Sequence, residues 1–254
     1  MRAMYDWLFD LNIFKSKKKE KLSALDFSCL QTDIHSHLIP AIDDGSPDLE
    51  TSIKIIKEMK ELGYKKLITT PHIMSDFYRN SPEIIRVGLE KLRHELKNQS
   101  IDIELNAAAE YYVDYDFEQK IGKEELLTFG DNYILIEFSF LEPPRKMFET
   151  IYKLQMHEYK VVLAHPERYP FFEKDEYKEL KEKNVFFQLN SLSLIGYYSK
   201  KVQEKSSYLI DSGYINFLGT DCHNLKHSNL YESCQTERLW HELVASKSLL
   251  NNTL

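Results

Sequence analysis

The 254-residue sequence predicts an α/β domain with a parallel sheet, closed as a barrel or left open, and three observations carry that expectation. Seven short runs of apolar and β-branched residues recur along the chain, as in strands buried on both faces. Longer helical patterns with their own start and stop signals separate them. Six of the seven runs end in His, Glu or Asp, the side chains that barrel enzymes carry at the C-terminal ends of their strands.

Residues 1–26 read as an N-terminal extension to a domain spanning 27–254. An aromatic-rich stretch leads into Lys15-Ser16-Lys17-Lys18-Lys19-Glu20-Lys21, a charge run that does not belong in a core. It reads as a solvated tail with a short helix, the alternative being a docking segment for an anionic membrane or a partner. Leu30–His35 is the first expected strand. The helix Pro47–Leu62 follows, with Ser46 as N-cap, Pro47 at its first position, Glu50 behind it and Gly63 at its end. Lys66–Thr70 is the second strand, and Ser81-Pro82 opens a helix to about Lys97 in the same way. Ile101–Ala109 and Tyr133–Phe138 are the third and fourth strands. Helices over Arg145–Glu158, Glu173–Lys183, Ser199–Ser212 and Asn229–Ser246 alternate with strands Val161–Ala164, Val185–Leu189 and Ile215–Gly219.

Composition removes several classes of function. A net charge of −7 lacks the basic footprint that nonspecific nucleic-acid binding needs. Three scattered cysteines do not form a disulfide framework and point to a reducing, cytoplasmic setting. No apolar run approaches the roughly 18 residues of a transmembrane segment. There is no Cys-x5-Arg phosphatase loop, no Gly-x-Ser-x-Gly elbow and no Gly-x4-Gly-Lys-Ser/Thr phosphate loop. A metal-activated water is the nucleophile left.

The ligand-type residues are Asp33, His35 and His37 after the first strand, His72 after the second, Glu110 after the third and Glu137 in the fourth. His165-Pro166-Glu167-Arg168 follows the fifth, and Asp221-Cys222-His223 the last. Five of the nine histidines fall in this set, which no scatter of structural histidines explains. Positions i and i+2 of a strand share a face, so His35 and His37 can grip one ion together. Mixed nitrogen and oxygen ligands without thiolate suit Zn, Mn or Fe(II). Alternation turns Cys222 away from its neighbours, into packing. Asp43 reads as a turn residue, and Asp44 as either turn or ligand. His94, His157, His227 and His241 fall in or beside helices and read as solvated or packed. The pairs Tyr111-Tyr112 and Tyr197-Tyr198 are candidates for the mouth of a cleft, though each alone reads as an ordinary rim tyrosine.

In this order the motifs resemble the polymerase-and-histidinol-phosphatase (PHP) superfamily. Asp33-Ile34-His35-Ser36-His37-Leu38-Ile39-Pro40-Ala41-Ile42-Asp43-Asp44-Gly45 is similar to the opening motif of its bacterial tyrosine phosphatases of capsular and exopolysaccharide loci. Thr70-Pro71-His72, Ala109-Glu110, His165-Pro166-Glu167-Arg168 and Thr220-Asp221-Cys222-His223-Asn224 follow. Ile73 and Cys222 depart from the family's usual His and Ala, and Asn224 to Ser228 lack an Arg that one branch carries. The resemblance implies a distorted (β/α)7 barrel of the PHP type holding up to three divalent metal ions, manganese first, with Fe or Zn as alternatives. His35, His37, Glu110 and Asp221 would hold the first; Glu110, Glu137 and His165 the second; Asp44, His72 and His223 the third. Arg168 would bind the substrate phosphate, with Asp44 and His223 sharing in catalysis.

The implied activity is metal-dependent hydrolysis of phosphotyrosine by a metal-activated hydroxide. The implied substrate is a phosphotyrosine protein, a membrane-associated tyrosine autokinase of polysaccharide export. Four ligand carboxylates against three divalent cations leave the centre positive, so a phosphate dianion is attracted despite the net charge of −7. Histidinol-phosphate phosphatase or another small-molecule phosphoesterase is the alternative. An amidohydrolase fits less well, because Glu137 stands where a bridging Lys is expected. A noncatalytic module with bracing metals fits least.

Overall fold

The computed structural model describes residues 22–254, so the expected extension lies mostly outside the described residues. Leu25 is tied to the domain: its amide donates to the Gln235 carbonyl, and the Trp240 indole donates to its carbonyl at 2.7 Å.

Among the described residues nine strands form seven staves, all parallel. They are β1 (Thr32–Asp33), β2 (Lys66–Thr69), β3 (His72–Ile73), β4 (Glu104–Ala107), β5 (Glu110–Tyr112), β6 (Tyr133–Glu137), β7 (Lys160–Ala164), β8 (Phe186–Asn190) and β9 (Ile215–Gly219). One ladder runs β1-β2-β4 and the other β3-β5-β6-β7-β8-β9. The second and third staves are therefore each in two pieces, and β3 and β5 lie beyond the expected strands Lys66–Thr70 and Ile101–Ala109. Pro71, which has no amide to give a ladder, separates β2 from β3, and Ala108-Ala109 separates β4 from β5. The breaks carry pairing from one ladder to the next and set His72 directly beside Glu110.

The ring closes between the first and last staves. Ser36 and Cys222 form a parallel bridge, the Asp221 amide donates to the His35 carbonyl at 2.7 Å, and the His37 amide donates to the Cys222 carbonyl. Beneath them the buried Asp33 carboxylate accepts from the Thr220 amide and hydroxyl at 2.8 and 2.9 Å. Of the two architectures open to the sequence, the chain thus adopts the distorted seven-staved barrel.

Period-two alternation divides the core. Leu135, Val162, Ala164 and Phe217 fill the barrel interior with Ile34 and Ile68. Their neighbours Ile134, Ile136, Val161, Leu163 and Leu218 face the surrounding helices. Because Glu137 lies two residues beyond Leu135, it joins the interior face at the top of the barrel.

The helices are α1 (Leu49–Glu61), α2 (Pro82–Asn98), α3 (Tyr115–Lys120), α4 (Met147–Met156), α5 (Lys174–Glu182), α6 (Lys200–Asp211), α7 (Leu225–Ser228), α8 (Tyr231–Cys234) and α9 (Arg238–Ser246). In α2, Ile85, Leu89, Leu92 and Leu96 make the buried stripe, and Ser81 caps it as expected, accepting from the Ile84 amide. Two expectations are corrected. Asp48, not Ser46, caps α1, accepting from the Thr51 amide at 2.7 Å, so the helix starts after Pro47. The pattern Asn229–Ser246 is two helices, α8 and α9, interrupted between Cys234 and Arg238.

Gly63 ends α1 at φ +107°, where an added Cβ would sit 2.7 Å from the Ser28 amide nitrogen. Gly63→Ala is expected to destabilise the fold by about 1–3 kcal/mol, the cost of a strained backbone position. A denaturant midpoint equal to the parent's would refute this.

Candidate metal centre

The sequence-predicted residues converge at the C-terminal mouth of the barrel. The first cluster joins His35, His37, Glu110 and Asp221, their ligand atoms lying within 4.8 Å of one another. His35 Nε2 stands 3.1 Å from Glu110 Oε2 and 3.4 Å from Asp221 Oδ1, and His37 Nε2 stands 3.4 and 3.5 Å from the same oxygens. The two Nε2 atoms approach each other to 3.3 Å.

Their hydrogen-bond partners decide what those nitrogens can do. Nδ1 of His35 faces Gln188 Oε1 at 2.8 Å, and Nδ1 of His37 faces Asp43 Oδ2 at 2.8 Å. Both partners only accept, since the Gln188 amide nitrogen is itself donating to the Leu189 carbonyl and Asn190 Oδ1. Each ring therefore carries a proton on Nδ1 and turns Nε2 inward, where burial works against a second proton but the carboxylates Glu110 and Asp221 beside His35, and Asp43 beside His37, raise both imidazoles above their ordinary value. His223 is set the same way, with Nδ1 donating to the Asp221 carbonyl at 2.9 Å and Nε2 facing Asp44 Oδ1 at 3.6 Å. Nitrogens and carboxylates converging on one point can hold a divalent cation in place of the protons they would otherwise share.

Around the first cluster lie two others. Glu110 and Glu137 are approached by both His165 Nε2, at 3.2 and 3.6 Å, and His72 Nδ1, at 3.3 and 3.8 Å. Asp44, half exposed, groups with His72 and His223, and His37 joins them. The charges show the same crowding. Burial, then the neighbouring Glu110 and Asp221 charges, push the Glu137 carboxyl well above the ordinary range. Burial and then Arg168 lower His165 to about 4, and burial and then His37 lower His223 to about 4, so both keep a lone pair near neutral pH.

Arg168 stands at the rim, in the turn Pro166–Arg168 that follows His165. Its Nη1 donates to Asp221 Oδ2 at 2.9 Å, and its guanidinium lies 4.8 Å from the Phe140 ring and 4.3 Å from the Tyr198 ring. With Asp44, His72, His223 and the two aromatics it lines a cleft of about 370 Å³. His227 also lines this cleft, which the expectation of a packed or solvated side chain missed. Of the candidate tyrosines only Tyr198 lines it; Tyr111 is buried, its oxygen accepting from the Leu127 amide. Cys222 is buried, as alternation predicts.

Two supporting residues escaped the sequence reading. Asp43 is a fully enclosed carboxylate that orients His37, accepts from the His72 and Gly45 amides, and is lowered to about 2: His37 and these bonds outweigh its burial. Its signal was present, six residues after His37, but a turn aspartate looks the same on paper. Gln188 lies 153 residues from His35, and no local pattern announces it. A Cβ on Gly219 would meet both His35 Cβ and Gln188 Nε2 at 2.7 Å, so only glycine lets them meet there. Asp43→Asn can present its amide to His37 and release the tautomer. Calorimetric titration with manganese should show affinity about 10–100-fold weaker; parent affinity would mean that Asp43 is only a turn residue.

A parallel α/β barrel whose polar strand ends bring together clusters of candidate metal ligands, with an arginine at the rim, defines the metal-site class of barrel proteins. Within it the chain belongs to the capsular polysaccharide synthesis family CpsB/CapC, whose profile matches residues 31–236. It is 34% identical over 202 residues to the tyrosine-protein phosphatase YwqE of Bacillus subtilis, covering 78% of this chain and 80% of that one. It is 28% identical over 201 residues to the tyrosine-protein phosphatase CpsB of Streptococcus pneumoniae, covering 76% and 83%. A solved structure from work on YwqE and CpsB, described as metal-dependent tyrosine phosphatases, superposes with a TM-score of 0.76 at 31% identity, covering 87% of this chain and 94% of the other. Histidinol phosphate phosphatase from Lactococcus lactis shares the fold, with a TM-score of 0.50 at 18% identity.

Proposed function

We propose that the protein is a metal-dependent tyrosine phosphatase acting on a phosphotyrosine protein, a membrane-associated autokinase of polysaccharide export. The observation that carries this reading is the cluster of inward-facing candidate ligand atoms beside an arginine held in an open cleft. Membership of CpsB/CapC supports it, and the relatives at 28 and 34% identity favour phosphotyrosine over histidinol phosphate, whose enzyme shares only the fold.

His35, His37, Glu110 and Asp221 would hold a first divalent ion. Glu110, Glu137 and His165, with His72 close by, would hold a second, and Asp44, His72 and His223 a third. Such ions, manganese by preference, supply Lewis acidity and hydroxide near neutral pH. The chain's own groups do the rest. Arg168 offers its remaining N–H groups to the phosphoryl oxygens, its plane kept by Phe140, Tyr198 and the bond to Asp221. Asp43 and Gln188 keep the imidazole lone pairs aimed, so no reorganisation is needed during reaction. The phenolate of phosphotyrosine, parent pKa about 10, leaves with less proton assistance than an alkoxide. Three free cysteines are consistent with work in the cytoplasm, and among the described residues no helix is long and apolar enough to cross a membrane.

Purified protein with manganese should release phosphate from a phosphotyrosine peptide, and excess chelator should stop it. Manganese bound without any release would exclude phosphotyrosine and leave small phosphate esters.

A further inference from the structure

Six staves end in a ligand-type residue, and β8 ends instead in Gln188-Leu189-Asn190. Gln188 and Asn190 are two apart on one face, and both are fully buried. Gln188 accepts from His35 Nδ1 and, at 3.2 Å, from the His165 amide. It passes a hydrogen bond to Asn190 Oδ1 at 2.8 Å. Asn190 Nδ2 then donates twice, to Asp221 Oδ2 at 2.7 Å and to the Tyr198 hydroxyl oxygen at 3.1 Å. Its backbone amide donates to Glu167 Oε1, next to Arg168.

We infer that Asn190 is a positioning residue coupling the metal cluster to the phosphate-binding arginine. With Arg168 Nη1 it occupies Asp221 Oδ2, so that Oδ1 is the oxygen left to His35 and His37. Through Tyr198 it also places the ring on which the Arg168 guanidinium rests. One amide thus sets the orientation of a cation ligand and the height of the anion-binding plane. Every polar atom of its side chain is engaged, which leaves it no freedom to serve one partner without the other.

This inference rests on the proposed roles of Asp221 and Arg168, and two severed limbs test it. Asn190→Ala frees Asp221 and Tyr198 together. It is expected to weaken manganese affinity about 10–100-fold, and also to weaken binding of inorganic phosphate when manganese is saturating. Tyr198→Phe removes only the hydroxyl and keeps the ring. It should leave manganese affinity within twofold of the parent and raise KM for a phosphotyrosine peptide with little change in kcat. Asp221→Asn is the control. Calorimetry with manganese, then phosphate, reads all three, with a folded near-ultraviolet circular dichroism spectrum required of each. If Asp221→Asn loses manganese but Asn190→Ala binds it like the parent, Asn190 is merely structural and the inference falls alone. If Asp221→Asn also binds manganese like the parent, the metal assignment falls and takes the inference with it.

Discussion

Asp221→Asn is expected to lower kcat/KM for a phosphotyrosine peptide by about a thousandfold or more, the scale on which a preorganised electrostatic contribution is lost. The carboxylate is buried, which alone would raise its pKa, yet His35 and His223 reverse that and hold it well below the usual range. It is therefore an anion in the fold, facing the Nε2 atoms of His35 and His37 at 3.4 and 3.5 Å. A neutral amide of the same shape keeps the packing and removes the charge that a divalent ion needs. Asparagine is the informative substitution because Asp221 sits at φ +53°, a left-handed conformation that Asn tolerates and Ala does not. Barrel closure should survive, since the bond across the seam comes from the Asp221 backbone. A variant that turned over within tenfold of the parent would show that Asp221 lies outside the reacting centre. One that failed to fold would be replaced by His35→Gln, which tests the same cluster.

The second large effect falls on the rim. Arg168→Lys should lower kcat/KM by about a hundredfold, with inorganic phosphate weakening as an inhibitor in parallel. The Arg168 plane is stacked between Phe140 and Tyr198 while one nitrogen is bound to Asp221, so its remaining donors point into the cleft in a fixed fork. Lysine keeps the charge but has neither the plane nor the fork. Activity within threefold of the parent would mean that charge alone suffices and the aromatic sandwich is incidental.

How much of this was legible beforehand differs between elements. The strands β6, β7 and β9 were read nearly to the residue, because continuous apolar runs buried on both faces leave little ambiguity. The short pieces β3 and β5 beyond the expected second and third strands were not, since only their pairing in the second ladder makes them strands. Nor was the splitting of the last helical pattern, where tertiary packing overrides local periodicity.

Order along the chain carried the chemistry: His-x-His on one face, single His, Glu or Asp residues at successive strand ends, and an Arg three residues after His165. These follow from short-range periodicity and residue type, which are local properties. Folding added what order could not: which side-chain atoms converge, which ring nitrogens of His35 and His37 turn inward, and which amides keep them there. Those properties belong to pairs such as His35 with Gln188, or Asp221 with Asn190 and Arg168, brought together by closure of the ring across long stretches of chain. Hydrogen bonds are selective in distance and angle, so partners that far apart are fixed by the barrel's register and not by any spacing along the sequence.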